Sequence, residues 1–380
     1  MSRGIIMFKR ILAVFLLFIL VASCANNETT SDAGASQETN NMQEPYKEYV
    51  DISQQGQQPT NNQNQQATSD NQDSDEMDTS DDSKNEDSAD LDTGGTTVEV
   101  VSSEFTLADG AEEGPGEHGP WDMRLTLATS DDSTTWEKTG LVLADQADVP
   151  SLVYGSDGTL FLYYVTWAKE VTNKIVVAVS EDNGESWAFK KVDLPTQSGW
   201  SSIVDPAVVL LDDGTLRMYA TLDKGEGDGP GTHSFISDDG INFEIEDGVR
   251  FDAKNPVLDP NIILIDNTWH LYAGGEGSKN YHATSSDGLE FEQEDTISLD
   301  SIMFSNGIAV DGGARYYGFE FAVDDAIYSM FSEDGSDWEV EKAVLELEES
   351  DVETRAIKDS SVIQLKNKSY LMVYVTGIPE

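Results

Sequence analysis

Several aspartates in this sequence stand where their carboxyl groups could act together. Asp205 and Asp259 each precede a proline at the start of a predicted strand, Asp359 opens another such strand, and Asp148 lies two residues before Pro150. Carboxyl groups that converge in a confined space repel one another, so their pKa values rise or a cation binds among them. We therefore expect acid–base chemistry, which requires no cofactor, or the binding of a hard cation such as calcium.

Other side chains extend this set of candidates. Glu276, in a glycine-rich segment, and Glu320, between two phenylalanines, could reach in from the ends of second strands. Trp121 lies near a loop, where its ring could stack on a ligand, and Arg124 could bind a carboxylate. Each residue also has a structural interpretation, because Asp-Pro favours a strand-entry turn and Trp is equally expected in packing. The histidines lack a metal-site spacing, so zinc is not expected.

A repeated turn predicts the fold that positions these residues. The pattern Ser-x-Asp-Gly-x-x-Trp/Phe recurs at a period of roughly 50 residues, which is typical of solenoids and propellers. One copy has Ser in place of Gly, and one has an inserted residue. The copies are residues 130–136, 180–187, 237–243, 285–291 and 332–338. Asp-Gly favours a chain reversal, and the Asp side chain can bind local backbone amides.

A second signature, the start of a strand, precedes four of these turns. Its copies are residues 149–153, 205–209, 259–263 and 305–309, and a fifth, at 359–363, has no turn after it. Residues near 359–376 would give the inner half of one blade, and residues near 122–143 its outer half. The sequence therefore predicts an all-β domain over residues 98–380, a five-bladed β-propeller closed by N- and C-terminal strands.

The N-terminus has the pattern of a targeting segment. Basic residues precede an apolar run at 11–22, which is too short for a mature membrane span. The run ends in Val-Ala-Ser before Cys24, the only cysteine, and this resembles the lipobox of bacterial lipoproteins. The resemblance implies a signal peptide at 1–23, a lipid on Cys24 and anchorage in the cell envelope, at the outer membrane if the host is a diderm. The alternative is a plain signal peptide with a chance cysteine.

Composition and charge separate the remaining segments. Residues 24–97 are rich in Asn, Gln, Ser, Thr, Asp and Glu, so we expect a disordered acidic tether. The whole chain has a formal net charge of −50, and most of that charge belongs to the predicted propeller. Such a negative surface argues against nucleic acid or an anionic membrane surface as a partner. It fits a salty habitat, cation binding or both, and we expect a monomer.

With these residues in view, the chain resembles the five-bladed glycoside hydrolases of families 43 and 32, the arabinanase and invertase-like superfamily. Its turns resemble the Asp-boxes of sialidases, and the resemblance covers residues 120–380. It implies a site in the axial funnel: a first-blade Asp as base, a second-blade Asp that orients or tunes pKa, and a third-blade Glu as acid. This chemistry needs one carboxyl held protonated and one held ionised.

Asp205 matches the second-blade aspartate of that family. The first-blade position holds Val149, and because a one-residue shift reverses side-chain direction in a strand, Asp148 takes the role of base only if the chain bulges there. The third blade begins with Asp259 where the family has Glu, which leaves Glu276 or Glu320 to reach in.

Asp359 would complete an acidic ring in the funnel. A sialidase-like site would instead need an arginine cluster, for which the candidates are Arg124, Arg315 and Arg355. Two functions remain open: hydrolysis of glycosidic bonds, or non-catalytic binding of a glycan, a cation or a protein through the funnel.

Overall fold

The computed structural model describes residues 96–107, 118–225, 229–275 and 278–379. These residues form five sheets, which confirms the predicted five-bladed, all-β fold. Their helical content is two short 3-10 turns, Pro120–Asp122 and Lys169–Val171. No helix in this part of the chain has the length and apolar character needed to cross a membrane. The predicted signal peptide, Cys24 and nearly all of the predicted tether lie outside the described residues.

The strands follow one another in chain order around the ring. They are β1 (Thr96–Thr97), β2 (Glu99–Ser103), β3 (Met123–Ser130), β4 (Glu137–Asp145), β5 (Ala147–Tyr154), β6 (Leu160–Thr166), β7 (Lys174–Ser180), β8 (Ser186–Lys191), β9 (Val204–Leu210), β10 (Leu216–Leu222), β11 (Gly231–Ser237), β12 (Glu244–Ile245), β13 (Leu258–Ile265), β14 (Thr268–Gly275), β15 (Lys279–Ser285), β16 (Glu292–Gln293), β17 (Ile302–Val310), β18 (Gly313–Glu320), β19 (Ala326–Ser332), β20 (Glu339–Glu346), β21 (Thr354–Gln364) and β22 (Tyr370–Gly377).

Each blade is an antiparallel sheet whose first strand lies nearest the axis. Blade 1 contains β5–β8, blade 2 contains β9–β12, blade 3 contains β13–β16 and blade 4 contains β17–β20. Blade 5 joins the two ends of the domain, with inner strands β21 and β22 and outer strands β3 and β4. This composite blade is the closure that the leftover half-repeats predict. Closure of the ring protects the sheet edges that an open array would expose.

The N-terminal strands add a second tie between blades 5 and 1. β1 pairs in parallel with β4, the outer strand of blade 5, and β2 pairs in parallel with β8, the outer strand of blade 1. Val98, between β1 and β2, is buried. Segment 96–103 therefore fastens the same two blades that the composite sheet closes.

The hydrophobic core lies between the blades. In the described part of the chain, five clusters of buried residues form, each made by two neighbouring blades. Trp187 and Phe189 of blade 1 are fully buried in the cluster shared with blade 5. Aromatic side chains of this size contribute a large share of the apolar area that the fold removes from water.

The repeated turn has a constant hydrogen-bond pattern. In residues 332–338, the Ser332 hydroxyl accepts the N–H of Gly335 (2.8 Å), and the Asp334 carboxylate accepts those of Ser336 (2.9 Å) and Asp337 (3.1 Å). The Trp338 indole donates to the Gly335 carbonyl at 3.1 Å. Such hydrogen bonds favour the ionised carboxylate and lower the pKa of Asp334. The turn Asp is therefore a structural residue, as the sequence predicts.

Ser133 replaces the glycine of this turn in blade 5. Its φ of 63° lies in the left-handed region that glycine adopts most easily. The serine side chain compensates, because its hydroxyl accepts a hydrogen bond from Arg315 of blade 4 at 2.7 Å. The exception to the repeat therefore makes a contact between blades.

Four tyrosines connect neighbouring blades through these turns. Within the described residues, each donates its hydroxyl to the carbonyl at the glycine position of the next blade's turn. The pairs are Tyr163–Gly240 (2.7 Å), Tyr219–Gly288 (2.7 Å), Tyr272–Gly335 (2.5 Å) and Tyr317–Ser133 (2.7 Å). Each bond joins a buried second strand to an outer turn, so the repeat sets the spacing of the blades.

The sequence provides a matched pair of variants for these bonds. Tyr163→Phe should lower the free energy of unfolding by about 1 kcal/mol, because it leaves the Gly240 carbonyl unpaired. Tyr164, the next residue on β6, is equally buried, but its hydroxyl has no hydrogen-bond partner among the described residues. Tyr164→Phe should therefore leave stability unchanged or raise it. Urea denaturation checks both variants, and equal losses would contradict the assignment.

Candidate functional site: the axial carboxyl cluster

All five inner strands are bulged near their start. The register shifts lie at Val149–Pro150, Asp205–Pro206, Asp259–Pro260, Ser305 and Asp359. Val149, Asp205, Asp259 and Asp359 have φ values of 49°, 56°, 50° and 33°, which are strained for residues other than glycine. Bulges redirect side chains, and strained backbone of this kind is concentrated at functional sites. The sequence predicts that Asp148 can act as the base only if the chain bulges at Val149. The structure has this bulge.

Lys358 links two carboxyls at this end of the propeller. Its ammonium lies 3.0 and 3.2 Å from the two carboxylate oxygens of Asp148 and 2.5 Å from the carboxylate of Asp359. Side-chain exposure is 19% for Lys358, 9% for Asp148 and 15% for Asp359. Burial raises the pKa of Asp148, and the charge of Lys358 opposes this rise. Burial lowers the pKa of Lys358, but the charges of Asp148 and Asp359 outweigh burial and raise it well above its usual value. Lys358 therefore remains a cation.

Asp205 and Asp259 form the second part of the cluster. The backbone N–H of Asp259 points to a carboxylate oxygen of Asp205 at 3.4 Å, which brings the two strand starts together. Burial raises the pKa of Asp205 to about 6, and the neighbouring Thr221 hydroxyl opposes the rise. Burial, then the charge of Asp205, raises the pKa of Asp259 well above its ordinary value. Asp259 is thus the group best suited to hold a proton at neutral pH.

Asp324, in the loop after β18, is a fifth carboxyl at this site. Burial raises its pKa to about 6, while Lys358 lowers it and Asp359 raises it. One of its carboxyl oxygens is buried without a hydrogen-bond partner among the described residues. Its backbone carbonyl accepts the N–H of Ile357, which fixes the loop against β21. The fold thus adds a carboxyl that is not at a strand start.

Lys358 and Asp324 were missed by the sequence analysis. Lys358 has a sequence signal, because it occupies in blade 5 the position that Asp148 occupies in blade 1, directly before the bulge. Asp324 has no such signal, since it belongs to a loop outside the repeated pattern. The repeated pattern could therefore have predicted that Lys358 lies at the site, whereas nothing in it could have predicted Asp324.

A narrow cavity of about 30 Å³ lies on the axis, among the starts of the five inner strands. Asp259 and Asp359 of the cluster line it, together with Pro150, Pro206 and Asn306. A cavity of this size holds about two water molecules, so a sugar ring would have to bind outside it, at the open end of the funnel, which we call the mouth.

The other predicted site residues lie elsewhere or outside the described part. Glu276 is among the residues that the structure does not describe. Glu320 is the last residue of β18. Burial is the largest cause that raises the pKa of Tyr328 on β19, and the charges of Asp325 and then Glu320 add to this rise. The backbone carbonyl of Glu320 accepts the N–H of Asp324 at 3.0 Å. Glu320 therefore contacts the loop of the site through its backbone.

The three arginines are each paired with a different carboxylate. The pairs are Arg124–Asp145 (2.8 Å), Arg315–Glu341 (2.9 Å) and Arg355–Asp122 (3.0 Å). Arg124 is 1% exposed, so its guanidinium belongs to the interior of blade 5 and not to a surface that meets substrate. We therefore regard Arg124 as a structural residue, and these side chains do not form the arginine cluster that a sialidase-like site would need.

Trp121 packs against a second tryptophan. Its ring packs edge-to-face on Trp167 with centroids 5.9 Å apart. Trp167 follows β6 directly, and the last pairs of β5 with β6 are Ala147–Thr166 and Asp148–Val165. The backbone N–H of Trp167 also donates to the Gln146 carbonyl at 2.7 Å, so the two half-buried indoles lie near the start of β5, the strand that carries Asp148.

Calcium does not fit the cluster as it stands. Lys358 already occupies the position between Asp148 and Asp359, and its positive charge would repel a second cation. Among the described residues, no three His, Cys, Asp or Glu side chains are placed to share a metal ion. Calcium binding stays a prediction from the sequence, and we derive no chemical step through it.

The raised pKa values predict an unusual pH dependence of stability. Folded Asp205 and Asp324 keep their protons to about pH 6, whereas unfolded aspartates lose them near the ordinary value of 3.8. The contribution of these two carboxyls to stability should therefore fall as the pH rises from about 4 through 6, on the order of 2 kcal/mol for each, against the rise that the turn aspartates with lowered pKa values contribute.

Thermal melts across this pH range check the prediction. Asp205→Asn and Asp324→Asn should each flatten the dependence. Asp213→Asn, in an exposed hairpin turn, should not, because hydrogen bonds to Thr215 lower the pKa of Asp213. A pH dependence between 4 and 6 that neither Asp205→Asn nor Asp324→Asn changes would show that these carboxyls are not buried as protonated groups.

The fold and the site define a class: a five-bladed β-propeller with a buried carboxyl cluster on its axis. No family model matches the chain, and no curated protein matches it. The solved structures similar to it include a thermostable family-43 glycoside hydrolase, with 14% identity over 60% of this chain and 88% of that chain and a TM-score of 0.48. A family 117 glycoside hydrolase from the marine bacterium Zobellia galactanivorans has 16% identity over 75% and 89%, with a TM-score of 0.43. A family 32 β-fructofuranosidase from Bombyx mori has 17% identity over 59% and 54%, with a TM-score of 0.43.

Families 43 and 32, which the sequence resembles, are thus both among the similar solved structures. The assignment of five blades comes from the strand order of this chain itself.

Proposed function

We propose that the protein hydrolyses glycosidic bonds at the mouth of its axial funnel, with Asp259 as general acid and Asp148 as general base. One observation carries this proposal: the axial carboxyls lie in two different electrostatic environments. Two carboxyls whose surroundings separate their protonation states are the requirement for this reaction.

Asp148 has the environment of a base. Both of its oxygens lie within 3.2 Å of the Lys358 ammonium, which stabilises the carboxylate form. In the proposed reaction, this carboxylate takes a proton from the water that attacks the anomeric carbon. Lys358 is a positioning residue, because it holds the base ionised and in place.

Asp259 has the environment of an acid. Burial and the neighbouring charge of Asp205 both raise the pKa of Asp259, and the charge of Lys358, which forms its salt bridges with Asp148 and Asp359, opposes the rise only in part. Its proton passes to the glycosidic oxygen as the bond from that oxygen to the anomeric carbon breaks. Asp205 keeps the role that the resemblance implies, since it tunes the pKa of its neighbour.

The rest of the mouth supports a carbohydrate as the ligand. Trp121 and Trp167 are half-buried near the start of β5, the strand that carries Asp148, and flat aromatic rings offer apolar area with little loss of conformational entropy. We further propose that the propeller acts as a monomer at the bacterial cell envelope, held by a lipid on Cys24 and separated from the membrane by residues 24–97. The sequence pattern alone supports this placement.

The alternative function is non-catalytic binding of a glycan, a cation or a protein through the funnel. Lys358 favours this alternative, because an ammonium between Asp148 and Asp359 also satisfies both carboxylates as a structural ion-pair network. Under this alternative the cluster holds the blades together and the mouth only binds.

Sugar release from polysaccharides and aryl glycosides separates the two functions. The chain without its signal segment, carrying Cys24→Ser, would be assayed at high salt beside its Asp205→Asn variant. Activity that is lost in the variant supports hydrolysis at the axis. No release from any substrate, with a glycan or calcium still raising the melting temperature, supports the binding module.

A further inference from the structure

We propose a second carbohydrate-binding site on the outer edge of the propeller, in an open cleft between blades 2 and 3. The rim cleft, as we call it, is formed by residues 247–252, which follow β12, and residues 287–293, which contain the turn of blade 3 and β16. Its volume is about 460 Å³, within the range of small-molecule sites. It shares no residue with the axial cluster, so this proposal is independent of the proposed function.

Arg250 is the polar anchor of the rim cleft. It lines the cleft and is only 6% exposed, and its Nε has no hydrogen-bond partner among the described residues. Its Nη2 donates to the backbone carbonyl of Asp247, which fixes the guanidinium in place. The Nε atom itself is buried, so a ligand would meet Arg250 at the part of the side chain that lines the cleft, where a ligand oxygen would gain a charge-assisted hydrogen bond to the guanidinium.

The remaining lining suits a neutral sugar. Asp247, Asp252 and Glu290 are exposed at the edge and can accept hydrogen bonds from hydroxyl groups. Val249 is 42% exposed and, with half-buried Phe291, offers apolar surface to the C–H face of a ring. These carboxylates and the net charge of −50 would repel an anion. A polyhydroxylated neutral ligand uses both the donor and the acceptors.

Both walls of the rim cleft are rigid before any ligand binds. Thr232 of β11 exchanges backbone hydrogen bonds with Phe251, and its carbonyl also accepts the N–H of Arg250 at 2.8 Å. On the other wall, the Asp287 carboxylate accepts the N–H groups of Leu289 (2.8 Å) and Glu290 (3.0 Å). A site formed in advance loses little entropy on binding, so weak individual contacts can sum to measurable affinity.

Titration calorimetry with neutral oligosaccharides tests the site. The full-length chain in detergent, carrying Asp259→Asn to prevent turnover, would be titrated with cellohexaose, xylohexaose, arabinohexaose and galactohexaose. We expect at least one of them to bind, and Arg250→Gln to weaken that binding event at least tenfold. Val249→Asp should weaken it as well, and because Val249 is exposed, that variant keeps the fold even if Arg250→Gln does not.

Arg315→Gln is the matched control, since it removes a paired arginine from a second strand outside the rim cleft. It should leave the binding event unchanged. The proposal is overturned if no oligosaccharide binds, or if neither cleft variant changes the affinity. Absence of sugar release from the chain with native Asp259, together with intact binding that depends on Arg250, would reject only the axial hydrolysis.

Discussion

Asp259→Asn is expected to lower kcat for glycoside hydrolysis by roughly 10²- to 10⁴-fold, the usual contribution of a positioned general acid. Asparagine has nearly the same shape as aspartate but no proton of suitable acidity to give to the leaving oxygen. The fold should persist, because the change removes a carboxyl that is buried beside another carboxyl. Steady-state kinetics with an aryl glycoside and thermal melts measure both effects.

The leaving group provides a further readout of the acid role. Substrates with a highly acidic leaving group need little protonation, so Asp259→Asn should impair them least. Asp213→Asn is the control, since Asp213 lies in an exposed turn, where it accepts hydrogen bonds from Thr215. Activity of Asp259→Asn within about threefold of the native chain would remove Asp259 from the role of acid.

Lys358→Met should lower the free energy of unfolding at pH 7 by roughly 3–5 kcal/mol, the usual effect of removing one partner from a buried ion pair. The change leaves Asp148 and Asp359 close together without the cation that separates them. Because protonation relieves this repulsion, the deficit should be largest above pH 6 and should shrink as the pH falls towards 4. Chemical denaturation at several pH values measures the deficit.

Two comparisons make the Lys358 prediction specific. Adding Asp148→Asn to Lys358→Met should restore part of the lost stability, because it removes one of the two carboxylates left unpaired. Lys342→Met, at an exposed position of β20, should change stability by less than about 0.5 kcal/mol, as is usual for exposed residues. A Lys358→Met chain as stable as the native one at pH 7 would show that the ammonium is not required by the cluster.

Much of the fold could be predicted from the sequence because its signals repeat. The turn at 332–338 and the strand start at 205–209 each recur with the same period, and the pieces left at the two ends of the chain complete one blade. Repetition allowed weak local signals to support one another, so blade number and closure followed without tertiary information.

The site was only partly predictable, for reasons that particular residues show. Asp148, Asp205, Asp259 and Asp359 were found because they stand at repeated strand starts, but whether Asp148 points to the axis depended on a bulge that no residue type announces. Asp324 reaches the cluster from an irregular loop. Arg124 shows the opposite limit, since a lone arginine in a strand does not reveal whether Asp145 will pair with it.

Carboxyl carbon NMR of the axial cluster tests most directly the claim on which the proposed acid depends, that Asp259 and its neighbour Asp205 keep their protons well above the ordinary pKa of an aspartate. Resonances would be assigned by loss of each signal in Asp205→Asn, Asp259→Asn and Asp213→Asn. We expect a pKa of about 6 for Asp205, a pKa of Asp259 well above the ordinary value of 3.8, and a lowered pKa for Asp213. Titration of Asp205 and Asp259 together with exposed aspartates, near 3.8, would contradict it.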